Sequence, residues 1–180
     1  GGEIRMSSGV RRLIPRDGRV DEIELDGGEA LTADVVLSSA GFNETMELCG
    51  EGSFAPGDVG RMTFVESIWV LDKKPFEFGH EAAIVFFNDR ETFSYAPPSE
   101  PVDLRSGIVC CPNNYEGHEG LSEGIARLTW IANFDRWDGL DEAGYAATKQ
   151  MYRATMIEQL SRFLPGVADH VVFTDMFTPR

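Results

Sequence analysis

Residues 1–42, GGEIRMSSGVRRLIPRDGRVDEIELDGGEALTADVVLSSAGF, constrain the fold more than any other stretch, because short β-prone runs alternate with tight-turn signals. Val10–Ile14 is rich in apolar residues and leads into Asp17-Gly18, a pair that tolerates positive φ and suits a hairpin. Val20–Leu25 sets Val20, Ile23 and Leu25 among acids, and Asp26-Gly27-Gly28 closes a second turn. After Ala33-Asp34, the continuous run Val35-Val36-Leu37 predicts a strand buried on both faces, stopping at the small residues Ser39-Ala40-Gly41. A meander returning into such a strand can bring backbone up to a bound dinucleotide.

Charge narrows the classes of partner. Thirty acidic against 16 basic side chains leave a net charge of −14, which argues against nucleic acid, since phosphate neutralisation needs clustered Lys and Arg. The same balance disfavours electrostatic docking to an anionic membrane, while contact through an apolar surface stays open. With 180 residues and 42% hydrophobic content, the chain can bury roughly 70% of its unfolded surface. No run of 18 apolar residues and no charged-then-apolar leader occurs, which with Cys49, Cys110 and Cys111 as reduced thiols predicts a cytoplasmic setting. The start at Gly1-Gly2-Glu3 and the stop at Thr178-Pro179-Arg180, directly after an apolar strand, predict an excised segment of a longer protein.

Beyond Gly41 the pattern predicts a short helix over Asn43–Leu48 capped by Asn43, then a Gly/Pro-containing loop over Glu51–Gly60 as a candidate boundary. Strands are expected at Met62–Leu71, Ala82–Phe87, Thr92–Tyr95, Gly107–Cys111, Arg127–Phe134 and Val171–Phe173. The pair Asp135 and Asp138 around Trp137 reads as a turn. Asp141–Leu164 is the clearest helix, with Asp141 as cap and Tyr145, Tyr152, Met156, Leu160 and Phe163 in one stripe that packs on the sheet. Pro165-Gly166 stops it. The order implies an α+β fold in which a mixed or antiparallel sheet is packed by helices.

The chemistry-bearing residues are sparse. His80, His118 and His170 are isolated, and His118, though flanked by two carboxylates, reads as part of a solvated loop; no metal site is expected. No catalytic residue declares itself. No GxGxxG occurs, and Gly27-Gly28 opens no helix. The aromatic residues carry the stronger signal: Phe64, Trp69, Phe86, Phe87, Phe93, Tyr95, Trp130 and Phe134 fall on or beside strands. Together they exceed what one modest sheet–helix interface needs, so a sheet face lining an apolar pocket is expected.

Gly2-Glu3-Ile4, Val10 with Leu13-Ile14, Gly18-Arg19-Val20, Gly28-Glu29 and Ala33–Val36 followed by Ser39-Ala40-Gly41 resemble the middle of a phytoene desaturase-type flavoprotein. That broad group of FAD-dependent oxidoreductases includes carotenoid desaturases and isomerases, retinol saturases and, more distantly, amine oxidases. Leu164-Pro165-Gly166 and the closing Thr178-Pro179-Arg180 are similar to the same group. The resemblance implies that residues 1–42 are a β-meander remnant of an FAD-binding domain, 43–177 the substrate domain, and 178–180 the start of the return. It places Val10 near the FAD adenine and Ser39, Ala40 and Gly41 near the phosphates. It implies hydride transfer between FAD and an apolar, isoprenoid- or polyene-like substrate, lined by Phe64, Trp69, Phe86, Tyr95 and Trp130. The fragment alone is expected to be inactive. An amine- or protoporphyrinogen-oxidase-like enzyme and a non-catalytic apolar-ligand-binding domain are the rival readings.

Overall fold

The computed structural model describes residues 2–52, 60, 62–117 and 120–180, in two compact units, Gly1–Gly60 and Arg61–Arg180. Most of the loop 51–60 therefore lies outside the described residues, as does His118.

The first unit is the expected meander. Strands β1 (Val10–Arg16) and β2 (Arg19–Leu25) pair antiparallel, and Asp17 (φ 54°) and Gly18 (φ 77°) form the two-residue turn between them. Two successive positive φ values match the right-handed twist of the flanking strands, which is why Asp-Gly serves here. Pro15 interrupts the register, a defect that β1 tolerates as an edge strand. A third strand, β3 (Ala30–Leu31), pairs with β2.

Two expectations fail in this unit. Val35-Val36-Leu37 is not a buried strand: the segment is irregular, with Val35 84% and Leu37 96% exposed. An apolar run becomes a strand only where neighbouring strands accept its hydrogen bonds, and none of the described residues does so. Helix α1 (Phe42–Leu48) is capped by Gly41, not by Asn43. Gly41, at φ 102°, turns the chain into the helix, and its carbonyl accepts from both the amide and the hydroxyl of Thr45.

The second unit holds a five-stranded sheet and its helices. Its elements are β4 (Met62–Leu71), β5 (Ile84–Asn88), β6 (Ser106–Cys110), β7 (Gly124–Asn133), α2 (Phe134–Asp138), α3 (Glu142–Leu160) and β8 (Val171–Phe177). The strand order is β5-β6-β7-β4-β8, every neighbouring pair is antiparallel, and the fold is α+β. Asp141 caps α3 by accepting the Gly144 amide at 2.7 Å.

Alternation then divides the sheet into two faces. One presents Val65, Ser67, Trp69 and Leu71 of β4 and Ala126, Leu128, Trp130 and Ala132 of β7, all buried. Tyr152, Met156 and Leu160 of α3 pack in the same core, with Trp137 of α2. Each indole N–H there finds an acceptor: Trp69 at Ser67 Oγ, Trp130 at Gln159 Oε1, and Trp137 at the Pro101 carbonyl.

Local boundaries also differ from the pattern. Thr92–Tyr95 forms no strand, because Asn88 Nδ2 donates to the Arg90 carbonyl and Arg90 pairs with Asp103, turning the chain away from β5. β7 starts at Gly124, and Phe134–Asp138 is a short helix where a turn was expected, burying Trp137.

Candidate ligand site on the open sheet face

Among the described residues, no helix stripe covers the other face of the sheet. Its residues fall in cross-strand rows set by the register. One row runs Phe86, Ile108, Thr129, Glu66; the row on its one side contains Asn88, Ser106, Ile131 and Phe64, and the row on its other contains Ile84, Cys110, Arg127 and Ile68. A cavity of about 590 Å³ lies over the first two rows. Its floor is Phe64, Phe86, Ile108, Thr129 and Ile131, and its wall is Phe93 and Tyr95 from the loop 89–105. The volume falls within the range of small-molecule sites. Phe86 is 76% exposed and Tyr95 68%, so these rings present apolar surface without filling the core.

Packing restricts this end of the sheet. A Cβ on Gly107 would lie 2.7 Å from the Thr129 carbonyl oxygen and 2.8 Å from the Phe87 ring, so only glycine lets β6 approach β7 this closely. The wall is pinned at its neck. Arg162 makes a two-pronged bond to Asp89 at 2.8 and 3.0 Å, and the Asp89 amide donates to the Arg105 carbonyl. Arg90 grips the buried Asp103 through both carboxylate oxygens, at 2.5 and 2.8 Å. Burial pushes the Asp103 carboxyl up, but the Arg90 guanidinium, the Arg105 amide and the Ser106 hydroxyl outweigh it and hold the group below the usual carboxylate range.

At the far edge of the cavity floor the face turns polar. Arg127 donates through Nε and Nη2 to Glu66, with Nη2 at 2.6 and 2.7 Å from the two carboxylate oxygens, and Thr129 Oγ1 donates to Glu66 Oε2 at 2.9 Å. The bond to Glu66 raises the Arg127 pKa against the opposing cost of burial. Beside them, Cys110 Sγ lies 3.5 Å from the Tyr115 hydroxyl, a contact that pushes the phenol up. Cys111 turns to the covered face, where burial pushes its thiol up to about 12.

The residues singled out from sequence therefore separate. Phe64, Phe86 and Tyr95 come together at the cavity. Trp69 and Trp130 do not line it; alternation places both on the covered face, in the core. Phe93 and Phe87 line it too, whereas Phe134 begins α2. The Glu66–Arg127 pair was missed, although a signal existed: each is the lone charge in an otherwise uncharged strand, MTFVESIWVL and GIARLTWIAN. Two lone charges on adjacent apolar strands predict a pair.

The four positions that the resemblance assigns to a cofactor lie in the first unit. Val10 opens β1, and Ser39, Ala40 and Gly41 are exposed in the segment before α1. The nearby Ser38 hydroxyl is held by Thr45 Oγ1 at 2.7 Å and accepts the Ala40 amide at 3.3 Å. With seven residues in α1, these groups by themselves do not form a cradle for the FAD pyrophosphate. His170 pairs with Asp72 at 2.8 Å, and His80 packs against Phe163. Among the described residues no three His, Cys, Asp or Glu converge as metal ligands, and no helix is long and apolar enough to cross a membrane.

No family model matches the chain, and no curated protein matches it. Among solved structures, an oxidoreductase from Methanosarcina mazei aligns with 95% of the chain at 12% identity and a TM-score of 0.47. A protein from Pyrococcus furiosus aligns with 94% of it at 12% identity and a TM-score of 0.44. The chain spans about a third of their length, 37% and 36% respectively.

Proposed function

We propose that the open sheet face binds an apolar small molecule, and that the chain is the substrate-binding part of an FAD-dependent oxidoreductase of the phytoene desaturase type. The observation that carries the reading is the cavity of about 590 Å³, lined by Phe64, Phe86, Phe93 and Tyr95. Such a lining suits an isoprenoid or polyene, because apolar burial supplies binding and flat rings accommodate a conjugated chain. Hydride transfer to a flavin asks the protein mainly for orientation and an apolar surface, and an apolar lining with no conspicuous acid or base supports that reading. Residues 1–42 contribute the meander that resembles an edge of the cofactor domain; they are proposed to lie near FAD through Val10 and Ser39–Gly41.

The test is binding, followed by chemistry. Diphenylhexatriene, a fluorescent polyene hydrocarbon, is expected to bind the chain with a fluorescence increase. Phe86→Ala and Phe64→Ala are each expected to weaken it about tenfold, equivalent to roughly 1.4 kcal/mol. In flavin-bearing protein, anaerobic mixing with a polyene substrate should bleach the oxidised-flavin absorption. Dye binding with no flavin retained by the natural protein would support the carrier reading instead, and turnover of amines would support the amine-oxidase reading.

A further inference from the structure

The apolar floor of the cavity ends in a half-buried ion pair, and that juxtaposition limits which apolar molecules fit. Glu66 shares a row with Thr129, Ile108 and Phe86, and Arg127 reaches back from the next row to bind it. Thr129 belongs to both places, lining the cavity with one side and donating to Glu66 with its hydroxyl. Arg127 spends Nε and Nη2 on Glu66, while Nη1 has no partner among the described residues. We propose that this patch receives the oxygen of an amphipathic ligand, a neutral hydroxyl or carbonyl on an otherwise apolar chain, with Arg127 Nη1 as donor. The inference rests on the cavity being a ligand site.

Two physical arguments set the class. A pure hydrocarbon extending past Thr129 strips water from the guanidinium and returns no hydrogen bond, a cost comparable to leaving a charged donor unsatisfied. An oxygen acceptor replaces the lost water. A carboxylate also accepts, but Glu66 already neutralises Arg127, so a second anion meets a carboxylate with no surplus positive charge. Neutral oxygen is therefore favoured over both. The Tyr115 hydroxyl and Cys110 Sγ, in contact with one another, flank the same end.

Displacement of diphenylhexatriene, a fluorescent hydrocarbon, by 1-decanol and by decanoate tests the assignment. The native chain should bind decanol about tenfold more tightly than decanoate. Arg127→Met combined with Glu66→Gln, which removes the donor and the charge together, should weaken decanol about tenfold while leaving the affinity for diphenylhexatriene, which has no oxygen to place, within twofold. Glu66→Gln, which keeps the Thr129 contact but removes the neutralising charge, should strengthen decanoate about tenfold. Circular dichroism and the retained dye affinity verify that both variants fold. Equal affinities for the two probes in the native chain, or a Glu66→Gln variant that leaves decanoate unmoved, would overturn the head-group site and leave the cavity reading standing. Failure of diphenylhexatriene to bind the native chain, or binding insensitive to Phe86→Ala, removes the cavity reading and this inference with it.

Discussion

The two faces of the five-stranded sheet are built from the same strands, residue by alternate residue, yet they have opposite physical roles. On the covered face, Trp69, Trp130 and Leu128 are buried among the side chains of α3, and every indole N–H is paired. On the open face, Phe64 and Phe86 remain largely solvent-facing and a half-buried ion pair takes the place of a core. Apolar content alone does not distinguish them, since β4 offers Phe64, Ile68 and Val70 to one side and Val65, Trp69 and Leu71 to the other. What separates them is the helix: a stripe on α3 completes one face, and the other keeps its apolar surface for something else.

That contrast is open to attack. Trp130→Ala should be the most damaging change, costing about 3–5 kcal/mol in urea unfolding, because it empties a large site against Tyr152 and strands Gln159 without its donor. A loss under about 1 kcal/mol would contradict the assignment of this face as the core.

Asp103→Ala should cost less, about 2–3 kcal/mol, by leaving Arg90 and Ser106 without their shared acceptor. Its effect should depend on pH in a defined direction. The Asp103 pKa is lower in the folded state than in the unfolded chain, so its stabilisation is complete above the unfolded carboxylate value near ~4. It is lost as pH falls through the lower folded value. Unfolding curves of both proteins should therefore converge in acid; a gap that stays constant from pH 7 to pH 2 would refute the charge-based account. Since Asp103 closes the neck of the loop bearing Phe93 and Tyr95, the variant should also weaken dye binding without altering the cavity floor.

The smallest effect on stability belongs to Phe86→Ala. With the ring 76% exposed, the change should stay within about 0.5 kcal/mol by thermal unfolding while ligand affinity falls. A large destabilisation would make Phe86 a core residue and erase the difference between the faces.

Much of this was readable in advance, for local reasons. Asp17-Gly18 announces its hairpin because few other residues accept two successive positive φ values. Asp141 announces its helix because its side chain satisfies an otherwise orphaned amide. The candidate site was half legible. Phe64, Phe86 and Tyr95 do meet at one cavity, but Trp69 and Trp130 were grouped with them, because aromatic content says nothing about which face a residue takes. Val35–Leu37 misled for a related reason: an apolar run states a preference, and hydrogen-bonding neighbours must exist to realise it.

The sequence by itself determined most of the elements, the alternation along β4 and β7, the stripe on α3 and the excess of acidic side chains. The tertiary structure alone decided which face α3 covers, where the 89–105 loop carries Phe93 and Tyr95, and that Glu66 meets Arg127 across 61 positions. Local preferences act over a few residues and are written in the order of the chain. The faces of a sheet are symmetric until something packs on one of them, and the pairing of distant charges waits on the register of strands that only the folded sheet brings side by side.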